Sequence, residues 1–407
     1  MASNIIETKN LYYSYEIGGY ALADVSLKIA EGRKTALLGP NGSGKSTLFL
    51  HMNGVYKPQK GEVYFHGAPV RYDKASMTTL RQKIALMFQN PDDQIFAPTV
   101  EEDVAFGPMN VKLPMDEVTK RVDDALSMVD MQKYRERPTQ QLSYGQRKRV
   151  ALAGALAMDP EVLLMDEPTA GLDMQMVREM LEMIEELNHN GRTVVISTHD
   201  VETAYEWADD VILMYEGGIL FSGSIDELFS QEEMIHKARL TRPTLYHLNV
   251  QRHLRTGEPE DPRPHTLPEC CQAFFKNHED IVPGTLYVAL IDDSEFDPIA
   301  ITNFRKHNRG VIGAVAKRKA RDLGLDIHHY FNSLEHGLTK TSRGEDYLLV
   351  TDSSLAGLVR AKVAKYTARC SGEVKLVMAG RDMPDKSAGE LKVVVEGMRP
   401  ESEKYAN

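Results

Sequence analysis

The sequence predicts an α/β fold: a phosphate-loop domain, a C-terminal extension and a second, smaller α/β domain. Three observations carry this. Short continuous apolar runs, RKTALLG (33–39), EVLLMDE (161–167) and RTVVISTHD (192–200), alternate with helical stretches over residues 1–235. Parallel strands buried on both faces have that pattern. GPNGSGKST, Gly39 to Thr47, fits G-x-x-x-x-G-K-[ST] between a strand and a helix. After the proline- and charge-rich RTGEPEDPRPHTLPE (255–269), the strand–helix alternation begins again.

The elements follow in order. VEEDVAFGPMNV (100–111) lies between the apolar runs, as does the amphipathic helix MDEVTKRVDDALSMVDM (115–131). Residues 236–282 form a linker flanked by short helices. Over 283–395, TLYVALIDD, DYLLVTD and EVKLVMAG read as strands, and SLAGLVRAKVAKYTAR as a helix. AITNFRKHNRGVIGAVAKRKARDLG is mixed and largely helical, and 396–407 is a polar tail.

A chain of 407 residues with 42% hydrophobic and 26% charged residues suits a globular protein of two or three domains. Its net charge of -11 argues against general adhesion to nucleic acid or anionic lipid. No apolar run nears the roughly 18 residues that cross a bilayer, and MASNIIETKN lacks a signal-peptide pattern. Cys270, Cys271 and Cys370 are too few for a disulfide framework. A cytosolic chain is expected, with any membrane span supplied by another polypeptide.

The motifs point to phosphoryl chemistry. Gly42 and Gly44 let the backbone wrap phosphates without Cβ interference. Lys45 would reach the β- and γ-phosphates, and Ser46 would offer its hydroxyl to Mg²⁺. Asp166, at the C-terminal edge of a buried strand, is placed to hold Mg²⁺ or its water, leaving Glu167 to polarise an attacking water. His199, after another strand, falls towards the same rim. In LSYGQRKRV (142–150), Ser143, Gly145 and Gln146 open a helix whose free N–H groups suit an anion.

GPNGSGKST, Gln89, LSYGQ, LLMDEPTAGLD and His199, in that order, resemble the nucleotide-binding domain of ATP-binding cassette (ABC) proteins over roughly residues 4–230. The fold expected is therefore the P-loop NTPase ABC domain, and the activity ATP hydrolysis with ATP and Mg²⁺ as cofactors. The resemblance implies that Gly39, Asn41, Gly42, Ser43, Gly44, Lys45, Ser46 and Thr47 cradle the nucleotide. It also implies that Gln89 joins Ser46 and Asp166 at the metal and that Gln89, Glu167 and His199 serve catalysis. Ser143, Gly145 and Gln146 would contact the γ-phosphate of ATP held by a second cassette, and Asp173 would couple the two sites. Tyr15 would stack on adenine, with Tyr12 and Tyr13 as competitors. Tyr144 departs from the glycine most cassettes carry there.

LSYGQ and FQNPDDQIF are most similar to the energy-coupling-factor group of importers, and within it to the cobalt and nickel branch. Pro91 to Phe96 would line a groove for a transmembrane coupling subunit, with Asp92, Asp93 and Gln94 offered to its basic residues. KARLTRPTLYHL resembles the start of that group's dimerisation region. A substrate-binding membrane subunit and peripheral placement on the cytoplasmic face of the membrane follow as expectations. Alternatives are a vitamin as cargo, or a soluble cassette ATPase acting outside transport. The latter is disfavoured because there is one phosphate loop and no long coiled-coil insertion.

For the second domain a regulatory or dimer-stabilising role is expected. His328, His329, Cys270, Cys271, His265 and His278 lack the spacing of a zinc site, and adjacent histidines in a strand would face apart. Gly310, Gly313 and the basic Lys317, Arg318, Lys319 and Arg321 suit either an anion at a helix start or a solvated face.

Overall fold

Strand β1 (Asn4–Ser14) pairs on one side with β2 (Tyr20–Ala30) and on the other with β4 (Lys60–Phe65). Between β2 and β4 come β3 (Lys34–Leu38) and α1 (Lys45–Met52). β5 (Ala68–Pro69) closes this antiparallel sheet, in the order β2-β1-β4-β5. This is a computed structural model describing residues 3–16, 19–274, 282–294, 296–370 and 374–379; His278 and the tail lie outside that range.

The chain continues with α2 (Lys74–Lys83), β6 (Ile84–Met87), α3 (Val100–Asn110), α4 (Met115–Met128) and α5 (Tyr144–Leu156). Then come β7 (Val162–Asp166), α6 (Met174–His189), β8 (Thr193–Thr198), α7 (Val201–Trp207), β9 (Asp210–Tyr215) and β10 (Gly218–Ser224). The second sheet has the order β10-β9-β3-β8-β7-β6, parallel except at β10. Every residue of β7 and β8 is buried, which is why both read as unbroken apolar runs. Their side chains alternate faces. Val162 and Leu164 belong to the core that holds Ile6, Leu22 and Phe49, whereas Leu163 and Met165 belong to the one that holds Val104, Leu152 and Ile184. α1 and the first sheet thus cover one face, and α3 to α6 the other.

Helices α8 (Ile225–Ser230), α9 (Glu232–Lys237), α10 (Thr244–Thr256) and α11 (Leu267–Phe274) follow. The segment read as a linker is partly core: Tyr246 of α10 is 4% exposed and packs with Tyr205 and Phe229. His265 reaches Asp226 at 2.8 Å.

β11 (Thr285–Leu290), α12 (Pro298–Asn303), β12 (Arg309–Val311), α13 (Ala314–Asp322), α14 (Ser333–Thr341), β13 (Tyr347–Thr351), α15 (Ala356–Cys370) and β14 (Lys375–Ala379) complete the chain. Their parallel sheet has the order β12-β13-β11-β14, with its own apolar core on each face. His328 and His329 correct the expectation of a strand. They lie outside the strands, between α13 and α14, with ring centroids 4.7 Å apart. Among the described residues no group of three or more His, Cys, Asp or Glu is arranged to hold a metal.

Two members of the basic run are engaged in ion pairs rather than simply solvated. Lys317 reaches Glu182 at 2.5 Å and Arg321 reaches Asp130 at 2.6 Å, both in the first part of the chain. α6 presents Glu179, Glu182, Glu185 and Glu186 at spacings that share a helix face. Arg149 takes Glu179, and the Asn332 N–H also donates to Glu182. Glu185 lies between Lys34 at 3.2 Å and Lys362 at 2.5 Å.

Neighbouring carboxylates therefore diverge. Loss of water around the largely covered Glu185 raises its pKa, but Lys362 and Lys34 outweigh this and hold it down at about 2. Burial pushes Glu186 up to about 7, helped by Asp352 and opposed by the α13 N–H of Ala314 and by Lys317. Glu186 is raised in the folded state. Its contribution to stability is full below the ordinary value of 4.5 and is lost as pH rises through 7. Glu186→Gln should therefore melt higher than the parent at pH 8, by the equivalent of roughly 3 kcal/mol, and like the parent near pH 4. Thermal unfolding against pH measures this, and a pH-independent difference contradicts it.

Candidate functional site

The phosphate loop follows β3 and ends at Gly44, the N-cap of α1, whose φ of 102° lies where side chains are rarely tolerated. A Cβ on Gly44 would lie 2.5 Å from the Ala21 carbonyl oxygen, and one on Gly39 2.3 Å from that of Met214. Asn41, Gly42 and Ser46 are exposed at the mouth of the loop, and Ser43 and Thr47 are buried. Lys45 is 6% exposed. Its Nζ donates to the Gly39 carbonyl at 2.7 Å and the Pro40 carbonyl at 3.2 Å, and lies 3.7 Å from a Glu167 oxygen. Burial lowers its pKa; Glu167 and Asp166 oppose that.

β7 delivers Asp166 and Glu167, 6% and 5% exposed. The Ser197 hydroxyl, from the adjacent β8, donates to Asp166 and accepts the Glu167 N–H at 3.0 Å. Glu167 has a φ of 45°, uncommon for a residue with a side chain. That turn leaves its carboxylate between Lys45 and the His199 ring, whose Nδ1 is 3.0 Å away. His199 keeps a side-chain exposure of 56%. Gln89 is exposed on the loop after β6. Hydroxyl, amide and carboxylate oxygens from Ser46, Gln89 and Asp166 are hard donors of the kind Mg²⁺ takes, so the donor set fits that ion.

Of the three tyrosines, Tyr12 and Tyr13 belong to β1 and are engaged. Tyr12 meets Tyr20 edge-on, and Tyr13 stacks on Tyr56 at 5.2 Å. Tyr15 lies beyond the strand, 44% exposed, with its hydroxyl 3.1 Å from Thr47 of the phosphate loop.

Ser143 caps α5. Its hydroxyl accepts the Gln146 N–H, and the Gln146 side chain accepts the Ser143 N–H, so each satisfies the other. Gly145 is buried beside Met176, and Asp173 caps α6 through the Met176 N–H at 2.8 Å. Tyr144 packs on Gly171 of the TAGLD loop; a Cβ there would lie 2.9 Å from its ring. The departure from glycine thus has a partner with no side chain to obstruct it.

Two of the groove residues also have partners within the chain. Asp92 pairs with Arg147 at 2.8 Å, and the Gln94 side chain accepts the Phe88 N–H and donates to the Ala151 carbonyl. Asp93 remains exposed, and Phe96 and Phe106, 64% and 46% exposed, meet edge-on at 4.6 Å. Sequence reasoning missed Ser197 and Lys148, the latter fully buried beneath Glu167. Within QRKR, Lys148 carries no signal in the sequence that sets it apart from Arg147 and Arg149.

Residues 22–170 match the ABC transporter family. The chain is 38% identical over 395 residues to the energy-coupling factor transporter ATP-binding protein EcfA2 of Methanospirillum hungatei, covering 95% of this chain and 99% of that one. It is 52% identical over 244 residues to the corresponding EcfA of Methanocaldococcus jannaschii, covering 60% and 88% respectively. Among solved structures, cbiO1 of Clostridium perfringens, described as part of the ABC transporter complex cbiONQ, superposes with a TM-score of 0.52. Its identity is 42%, covering 58% of this chain and 95% of that one. The likeness to the M. hungatei protein includes the second domain. With its phosphate loop, paired acids and histidine gathered at one sheet edge, the chain belongs to the energy-coupling factor transporter ATP-binding proteins of the ABC family, and it is an ATPase.

Proposed function

We propose that this ATPase energises import of cobalt or nickel ions through an energy-coupling-factor membrane complex, working as a dimer. The observation that carries the catalytic part is the Glu167 carboxylate held between Lys45 and His199. Lys45 and the loop N–H groups bind the phosphates, Glu167 accepts a proton from the attacking water, and His199 steadies the charge that develops. Ser46, Gln89 and Asp166 would hold Mg²⁺, which would neutralise phosphate charge when bound. Tyr15 takes the adenine. Ser143, Gly145 and Gln146 meet the γ-phosphate on the partner subunit, with Asp173 linking the two sites.

Support for the metal cargo is the resemblance of the LSYGQ and FQNPDDQIF segments to the cobalt and nickel branch of these importers. The exposed Phe96–Phe106 pair and Asp93 supply apolar and acidic contacts for a membrane partner. No helix among the described residues is long and apolar enough to cross a membrane; attachment to the cytoplasmic face through the membrane partner is part of the proposal. A vitamin is the second reading of the cargo, since the machinery up to the membrane subunit would be the same.

The test is co-purification. Glu167→Gln protein, loaded with ATP, is captured from detergent-solubilised membranes of its own organism and its companions are identified by mass spectrometry. A multi-span subunit with a metal-binding membrane subunit supports the proposal. A vitamin-binding subunit overturns the cargo, and soluble companions alone overturn import.

A further inference from the structure

Lys148 stands in the second turn of α5, and none of its side chain is exposed. Burying an ammonium group is costly unless the surroundings favour its charge. Burial brings this lysine down to about 8, against the opposing influence of Glu167 and Asp166. Its Nζ donates to the Glu167 carbonyl at 2.9 Å and to the Pro168 carbonyl at 3.0 Å, and lies 5.7 Å from the centre of the Tyr144 ring.

Those two carbonyls belong to the turn that aims the Glu167 carboxylate. Glu167 holds a left-handed backbone conformation, which costs free energy and persists only where neighbours fix it. Its N–H is fixed from β8 by Ser197. Its C=O accepts the Ala170 N–H at 3.1 Å within the turn, and both this C=O and the next one are tied to α5 by Lys148. An apolar residue at 148 would leave the Pro168 carbonyl without this donor, the Glu167 carbonyl with the Ala170 N–H but not the ammonium, and Lys45 to face the two acids without Lys148. The same helix begins at Ser143, so a shift of its first turn reaches Glu167 through a single side chain.

We propose that Lys148 is a positioning residue for ATP hydrolysis: it fixes the backbone turn that directs the Glu167 carboxylate, and it ties that turn to the helix opened by Ser143. The inference rests on the reading of Glu167 as the residue that activates water. A residue that only stabilised the fold would affect nucleotide affinity, turnover and melting together, whereas a positioning residue lowers turnover selectively.

Full-length Lys148→Met and Lys148→Gln are compared with the parent and with Glu167→Gln for kcat, KM, nucleotide affinity and melting temperature. Lys148→Met should lose about a hundredfold in kcat, the order expected for a misplaced catalytic group, with KM and nucleotide affinity close to parental. Lys148→Gln, which restores one donor without the charge, should recover roughly tenfold of that loss. Parental kcat in Lys148→Met beside an inactive Glu167→Gln overturns the role of Lys148 alone. A joint fall of kcat, affinity and melting temperature, with no recovery in Lys148→Gln, also overturns it. Parental turnover in Glu167→Gln removes the reading of Glu167 and the positioning role with it.

Discussion

Lys45→Ala is expected to abolish measurable ATP binding, weakening it by roughly a hundredfold or more. A charge-assisted contact to phosphate is among the stronger polar interactions available to a protein. Lys45 is already poised for it: its ammonium is nine-tenths buried, held by the carbonyls of Gly39 and Pro40 beside the Glu167 carboxylate. Burial lowers its pKa, and Glu167 and Asp166 oppose that only in part. Alanine removes the charge and the reach together. Titration with a fluorescent ATP analogue measures the loss, and parental affinity in the variant would mean that the phosphates bind elsewhere.

The second large effect is expected at Glu167. Glutamine there keeps the size and a hydrogen-bonding oxygen towards His199 but has no basicity. ATP should still bind, while turnover falls by roughly 10²- to 10⁴-fold, the usual contribution of a positioned acid or base. With hydrolysis removed, an ATP-bound dimer should accumulate and be visible by size-exclusion chromatography with ATP present. Turnover at the parental rate would require another group to activate water.

How much of this was legible in the sequence depends on whether a residue's role is set by neighbours in the chain or by neighbours in space. The phosphate loop is local. Gly44 needs a positive φ at a helix start, and G-x-x-x-x-G-K-[ST] records that need directly. β7 and β8 announced themselves as uninterrupted apolar runs because both faces are covered. The part played by Ser197 was not legible, because its partners Asp166 and Glu167 belong to the adjacent strand. Lys148 looked like one more cation in RKR until α5 was packed against the turn after β7. Lys317 and Arg321 gave the same pattern of charge that a solvated helix gives, and only docking onto Glu182 and Asp130 distinguishes the two. Gln94 shows the converse. A polar residue in an exposed-looking segment turned inward because the Phe88 N–H and Ala151 carbonyl both needed a partner.

The acidic face of α6 limits how freely this ATPase could exchange parts with its shorter relatives. Glu182 and Glu185 are matched to Lys317 and Lys362, about 130 to 180 residues further along the chain. A cassette grafted from a relative without the second domain would have no reason to carry those acids. Conversely, this cassette separated from residues 283–407 would keep Lys34 for Glu185 but leave Glu182 without its lysine. The two halves are therefore expected to change in step over evolution, and recombination between them should succeed only when the acids of α6 travel with the lysines that receive them.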